Sequence, residues 1–161
     1  MSISKDFLLP HLTNNHRATR RLLEDVTDKE SLVTVPNTNS HIRWITGHII
    51  TTCYSATKAL KKEPTIDPSL LALFKRGEPV AADSSLYPSM DVLRVSIQTI
   101  HEELQQAAND ATDEILQSPF GDPASKTSVL NWVLTLASHD FYHTGQIMLI
   151  RRHLGKEALF G

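Results

Sequence analysis

The sequence has a single cysteine, Cys53, so no internal disulfide can form and a cysteine-based zinc finger is excluded. It also lacks an excess of charge of either sign. Sixteen Lys and Arg stand against eighteen Asp and Glu, a formal charge of −2, so no general electrostatic field collects nucleic acid. Arg20 with Arg21, Lys61 with Lys62, and Arg151 with Arg152 are short local pairs that read as solvated faces rather than a phosphate track. Long hydrophobic runs are missing as well, since no window approaches the roughly 18 to 20 apolar residues of a membrane span. The first residues, MSISKDFLLPHLTNN, carry no apolar core with a small-residue cleavage site, so no secretory leader is expected and a cytoplasmic location is. No P-loop, GxGxxG or nucleophile motif occurs, which leaves a metal as the source of any strong chemistry.

What is present is an ordinary globular composition: 161 residues, 40% hydrophobic, 6% aromatic and 21% charged, with no internal repeat or low-complexity tract. One domain over residues 1–161 is expected. Four segments carry helical periodicity and none carries sustained strand alternation, so the class is all-α. The first, about residues 4–26, aligns Leu8, Leu12, Asn15, Thr19, Leu22 and Val26, with Pro10 tolerable near a helix start. The second begins after Asn39 or Ser40, either a plausible N-cap, and runs to about Leu60 with Trp44, Ile45, His48, Thr52 and Ala56 on its inner face. A third follows Pro88, which suits the first helical position, and aligns Met90, Leu93, Ile97, Ile100, Leu104 and Ala108. The fourth starts near Thr127 and ends at Gly155, with Arg151, Arg152 and His153 in the last turn, where cations suit the helix dipole. Between the second and third segments, DPSLLALFKRG predicts a short extra helix capped by Asp67. So long a connection favours a crossover and a four-helix bundle of up-down-down-up order.

Within the fourth segment His139 and His143 are four residues apart. On a helix this places the imidazoles about 40° apart around the axis and about 6 Å apart along it, a gap one divalent ion can bridge. The apolar stripe through Trp132, Leu136 and Ile150 contains both, which predicts that they face the core. Taken alone the spacing is weak evidence, because core packing produces it often. His48 adds a third imidazole on the inner face of a different helix, one turn after Trp44. Three buried imidazoles without partners would each cost about 1 to 3 kcal/mol, and a shared metal removes much of that. Three ligands with an open position is the pattern of metals that do chemistry. Imidazoles suit zinc, nickel, iron and copper, so the ligand type does not select the ion.

The other polar candidates carry weaker signals. Asn15, Tyr142 and Gln146 could line the pocket or orient the ligands, and each is equally suited to a structural hydrogen bond. His41 shares the stripe of His48 but stands about 10.5 Å along the axis, too far to bind the same ion. His11 lies near the inner stripe of the first helix as a backup ligand, while His16, His101 and His153 fall on stripe edges or a helix end, with surface or dipole roles. Cys53 points about 140° away from His48, which argues against a nucleophile aimed at the same centre.

SHIRWITGHII around His48, SHDFYHTGQIMLIRRHLG around His139 and His143, and NNHRATRRLLEDV in the first helix resemble the DinB-like (DinB/YfiT-like) metalloenzyme family. The most specific element is H-x-x-x-H-x-G-Q-I followed by a closing L-G. The resemblance implies a four-helix bundle, commonly homodimeric, with one divalent metal ion (zinc, nickel or iron) held by His48, His139 and His143. Relatives of this kind include S-transferases and an isomerase that use a low-molecular-weight thiol. The implied activity is therefore a thiol-dependent S-transferase acting on a small-molecule electrophile, with no catalytic residue assigned beyond the metal ligands. A metal-dependent hydrolase, or a non-catalytic metal-binding, stress-related protein, remains the alternative. Neither a nucleic acid nor a membrane is expected as a partner.

Overall fold

The computed structural model describes residues 3–36, 40–75, 77, 80, 81 and 83–159, and among these the chain is helical with no strand. Helix α1 spans Ile3–Leu23, α2 Ile42–Ala59, α3 Pro68–Leu71, α4 Met90–Asp110, α5 Asp113–Gln117 and α6 Val129–His153. The four long ones form the bundle, and none is long and apolar enough to cross a membrane among the described residues. The short helix foreseen after Asp67 is α3, extended by a 3₁₀ turn over Ala72–Phe74, and the Asp67 carboxylate accepts from the Ser69 N–H. The second long connector also holds a short helix, α5, capped by Thr112.

Side-chain caps fix where the helices start. Ser89 accepts from the Val92 N–H and Ser128 from the Asn131 N–H, each satisfying an orphan amide of the first turn. Pro88 therefore lies before the cap of α4 and not at its first helical position. For α2 the cap is His41, whose Nδ1 accepts from the Trp44 N–H at 3.1 Å, rather than Ser40; Asn39 falls outside the described residues. At the far end of α6, Gly155 adopts φ 75°, and the bonds Gly155 N–H to Arg152 O and Lys156 N–H to Arg151 O close a Schellman motif.

Interhelical bonds establish the up-down-down-up order. Lys5 at the start of α1 donates to the Asn109 carbonyl at the end of α4, and Arg94 near the start of α4 donates to the Leu23 carbonyl, so these helices are antiparallel. Asn15 to Ala137 O and Arg151 to Leu22 O make α1 and α6 parallel. His48 meets His143 while Thr52 meets Asp140, so α2 and α6 are antiparallel. The Asp28 carboxylate joins Arg43, near the start of α2, to the Met90 N–H at the start of α4, and Lys62 pairs with Asp110 at the other end. α2 and α4 therefore run parallel. α1 and α2 each pack on both α4 and α6 and face each other across the bundle.

The apolar stripes of α1 and α4 are buried as their periodicity predicts. α6 differs. Its buried line runs through Val133, Ala137, Asp140, His143, Thr144, Ile147 and Arg151, while Trp132 and Leu136 are only partly covered. Polar residues occupy the innermost positions, so hydrophobicity alone displaces the apparent stripe. Arg151 is accordingly no solvated cation: it is buried, donates to the Leu22 carbonyl and pairs with Asp25.

Candidate metal centre

Three of the sequence-predicted residues converge where α2 faces α6. The ligand-type nitrogens of His48, His139 and His143 lie within 4.8 Å of one another. His48 and His143 are buried, whereas the His139 side chain is 33% exposed, so the group opens toward solvent on one side. The shift of the α6 stripe explains this: His139 sits on its flank and not in the core.

Each ring has an acceptor near Nδ1, which favours Nε2 as the nitrogen that could ligate. His48 Nδ1 stands 2.8 Å from the Phe74 carbonyl oxygen, so it donates there, and Nε2 is the atom that could hold a metal. His143 Nδ1 donates to Gln146 Oε1 at 2.7 Å, and the Gln146 amide is oriented in turn by donating to the Tyr142 hydroxyl. His139 Nδ1 lies 3.5 Å from Asp140 Oδ1. The Nε2 atoms of His139 and His143 are 3.2 Å apart. Two imidazole nitrogens bound at about 2.0 to 2.1 Å to a tetrahedral ion stand about 3.3 to 3.4 Å apart, so the donor set fits a zinc-sized divalent ion. Burial pushes His143 down to about 4, with Gln146 pulling upward and the neighbouring His139 and His48 adding to the fall. The ring is thus neutral, as a ligand must be.

The Phe74 carbonyl comes from the connector, which docks on α2 where the chain lacks a side chain. A Cβ at Gly47 would overlap the Phe74 ring. Glycine at the position before His48 therefore sets the approach that places its acceptor. Trp44 covers the other side, its ring stacked on His48 at 4.8 Å.

Asp140, between the two α6 histidines, is a buried carboxylate that the spacing argument missed. It accepts from Thr52 Oγ1 at 2.5 Å and from Cys53 Sγ at 3.3 Å, and burial holds it above the usual carboxylate range. Asp140 lies at i+3 from Ala137 on the buried line of α6, a line that the apolar pattern through Trp132 and Leu136 did not reveal. Asn15 is buried and ties α1 to α6 through the Ala137 carbonyl. Tyr142 is exposed, its ring in a T-shaped contact with His143 at 5.3 Å between centroids.

The remaining histidines are placed elsewhere. His11 stacks on Phe7 rather than joining the three-histidine group, and His41 caps α2. His16 and His101 are not surface residues: both are buried, with their rings stacked 3.8 Å apart beside Cys53. Burial pushes the Cys53 thiol well above its usual value and the neighbouring Asp140 adds to this, which is unfavourable for a nucleophile. Arg20 and Arg21 line a surface cleft of about 420 Å³ with Arg17 and Arg94.

No curated protein matches the chain. The model of the DinB superfamily matches residues 11–147, from α1 through the HxxxH turn of α6, and by that span and by the bundle that carries it the chain belongs to the DinB superfamily.

Proposed function

We propose that His48, His139 and His143 bind one divalent metal ion through Nε2 and that the protein is a metal-dependent enzyme, a thiol-dependent S-transferase acting on small electrophiles. The observation that carries this reading is the convergence of three rings whose Nδ1 atoms each face an acceptor, on a flank where one ring remains partly exposed. Three ligands with a solvent-facing side leave room for an exchangeable fourth. A divalent ion held there would favour the thiolate of a low-molecular-weight thiol, or lower the pKa of a water, at that open position. The chain's own residues keep the geometry. Phe74 O and Gln146 Oε1 hold the Nδ1 protons of His48 and His143, Trp44 excludes water from one face of His48, and exposed Tyr142 stands where a substrate would enter. A homodimer belongs to this reading, supported by Phe141 and Leu149 standing exposed on α6; sedimentation as a monomer at micromolar concentration would refute it.

Elemental analysis of protein purified without an affinity tag or added metal tests the site: one ion per chain is expected, lost on replacing any of the three histidines. Thiol consumption with a panel of electrophiles tests the transfer. Activity surviving in a His48→Ala, His143→Ala double variant would sink it, and hydrolysis without added thiol would reassign the open position to water.

A further inference from the structure

A second group of ligand-type side chains lies on the bundle axis, and each long helix contributes to it. His16 comes from α1, Cys53 from α2, His101 from α4, and Asp140 of α6 stands against Cys53. The ligand atoms of His16, Cys53 and His101 lie within 4.8 Å of one another. All three residues are at most 2% exposed. The two imidazoles stack nearly parallel, 3° apart, and Nδ1 and Nε2 of His16 and Nδ1 of His101 have no hydrogen-bond partner among the described residues.

Unpartnered ring nitrogens are expensive in an interior, and here they are concentrated beside the chain's one thiol. Packing alone gives no reason for two histidines at this place, since Leu or Met would fill similar volume without the penalty. A bound ion supplies the missing partner for a nitrogen of each ring at once. We propose that His16, Cys53 and His101 form a second metal site, sealed in the core, for a divalent thiophilic ion of the zinc type. It is independent of the reading given for the three-histidine group.

The chemistry balances without a further reactant. The ion replaces the Cys53 thiol proton: the S–H bond breaks, an S–metal bond forms, and one proton is released to solvent. Asp140, which accepts that S–H in the metal-free state, remains as a neighbouring carboxylate that offsets the ion's charge. Bound at about 2.0 to 2.1 Å from nitrogen and 2.3 Å from sulfur, the ligand atoms would close to roughly 3.3 to 3.6 Å from one another, and because each lone pair lies in its ring plane one imidazole would turn out of the parallel stack to reach the ion. Because the site is sealed, the ion enters while the chain folds.

The test uses the full chain produced in zinc-depleted, cobalt-supplemented medium and purified without added thiol. The three-histidine group contains no sulfur, so a thiolate-to-cobalt charge-transfer band in the near ultraviolet reports Cys53 alone. The expected result is that band, with about one cobalt per chain more than in Cys53→Ser, and its persistence in the His48→Ala, His143→Ala double variant. Failure of the three-histidine site would instead remove cobalt while leaving the band. Absence of the band in the wild-type protein overturns the proposal, whether or not any variant folds.

Discussion

His48, His139 and His143 meet where two helices face each other at the edge of the bundle, with an acceptor beside each Nδ1, whereas His16 and His101 stack on the axis with ring nitrogens that no described residue partners. His143 of the first and His16 of the second are neutral for the same first reason, burial: His143 is pushed down to about 4 and His16 to about 3. They diverge in what surrounds them. Gln146 and the Phe74 carbonyl hold two rings of the first group in one tautomer, while the second has a thiol and a carboxylate beside it. Orientation with exposure suits an exchangeable ligand; sealing with an anion-forming sulfur suits a fixed ion.

The largest expected break in this comparison is His143→Ala, which should abolish stoichiometric metal at the edge group while leaving the sulfur band of the axial one, read by elemental analysis and cobalt absorption. Gly47→Ala should come next. It forces the Phe74 ring off α2 and should cost about 1 to 3 kcal/mol in urea denaturation, with weaker metal binding because the His48 acceptor moves with that segment. Gln146→Leu removes the acceptor of His143 Nδ1 together with the exposed bond to the Tyr142 hydroxyl, and should weaken metal affinity by about 10- to 100-fold at nearly unchanged stability, as titration against a chelator would show.

The smallest effect concerns His41, a histidine outside both groups. Burial, then Arg43, pushes it from 6.5 to about 4, and the neutral Nδ1 is what caps α2. Below pH 6.5 the unfolded chain therefore takes up this proton before the folded one. The corresponding stability is complete above 6.5 and is lost as the pH falls toward 4, by at most about 1.4 kcal/mol per pH unit. His41→Asn keeps a capping oxygen and removes the titration, so a shallower dependence of Tm on pH in that window is expected, and an unchanged slope would contradict it.

The edge group was legible because His139 and His143 share a face by local geometry and His48 lay on an obvious inner stripe. The axial group was legible only in part. Leu12, His16 and Thr19, like Ile97, His101 and Leu104, follow i, i+4, i+7, but adjacent Asn15 and Ile100 fit the stripe as well, and the sequence does not say which of two neighbours points inward. In α6 the hydrophobic pattern pointed at Trp132 and Leu136, because Asp140, Thr144 and Arg151 take the innermost line.

By itself the sequence determined the four long helices, the short one after Asp67, and the His139 and His143 pair, since each follows from caps and periodicity within a few turns of chain. The tertiary structure alone decided that the Phe74 carbonyl orients His48, that Asp140 touches Cys53, and that four helices each bring one residue to the axis. Those contacts join residues far apart in the chain, and they depend on how each helix is rotated about its own axis. That rotation is set by packing of whole faces, which no local pattern specifies.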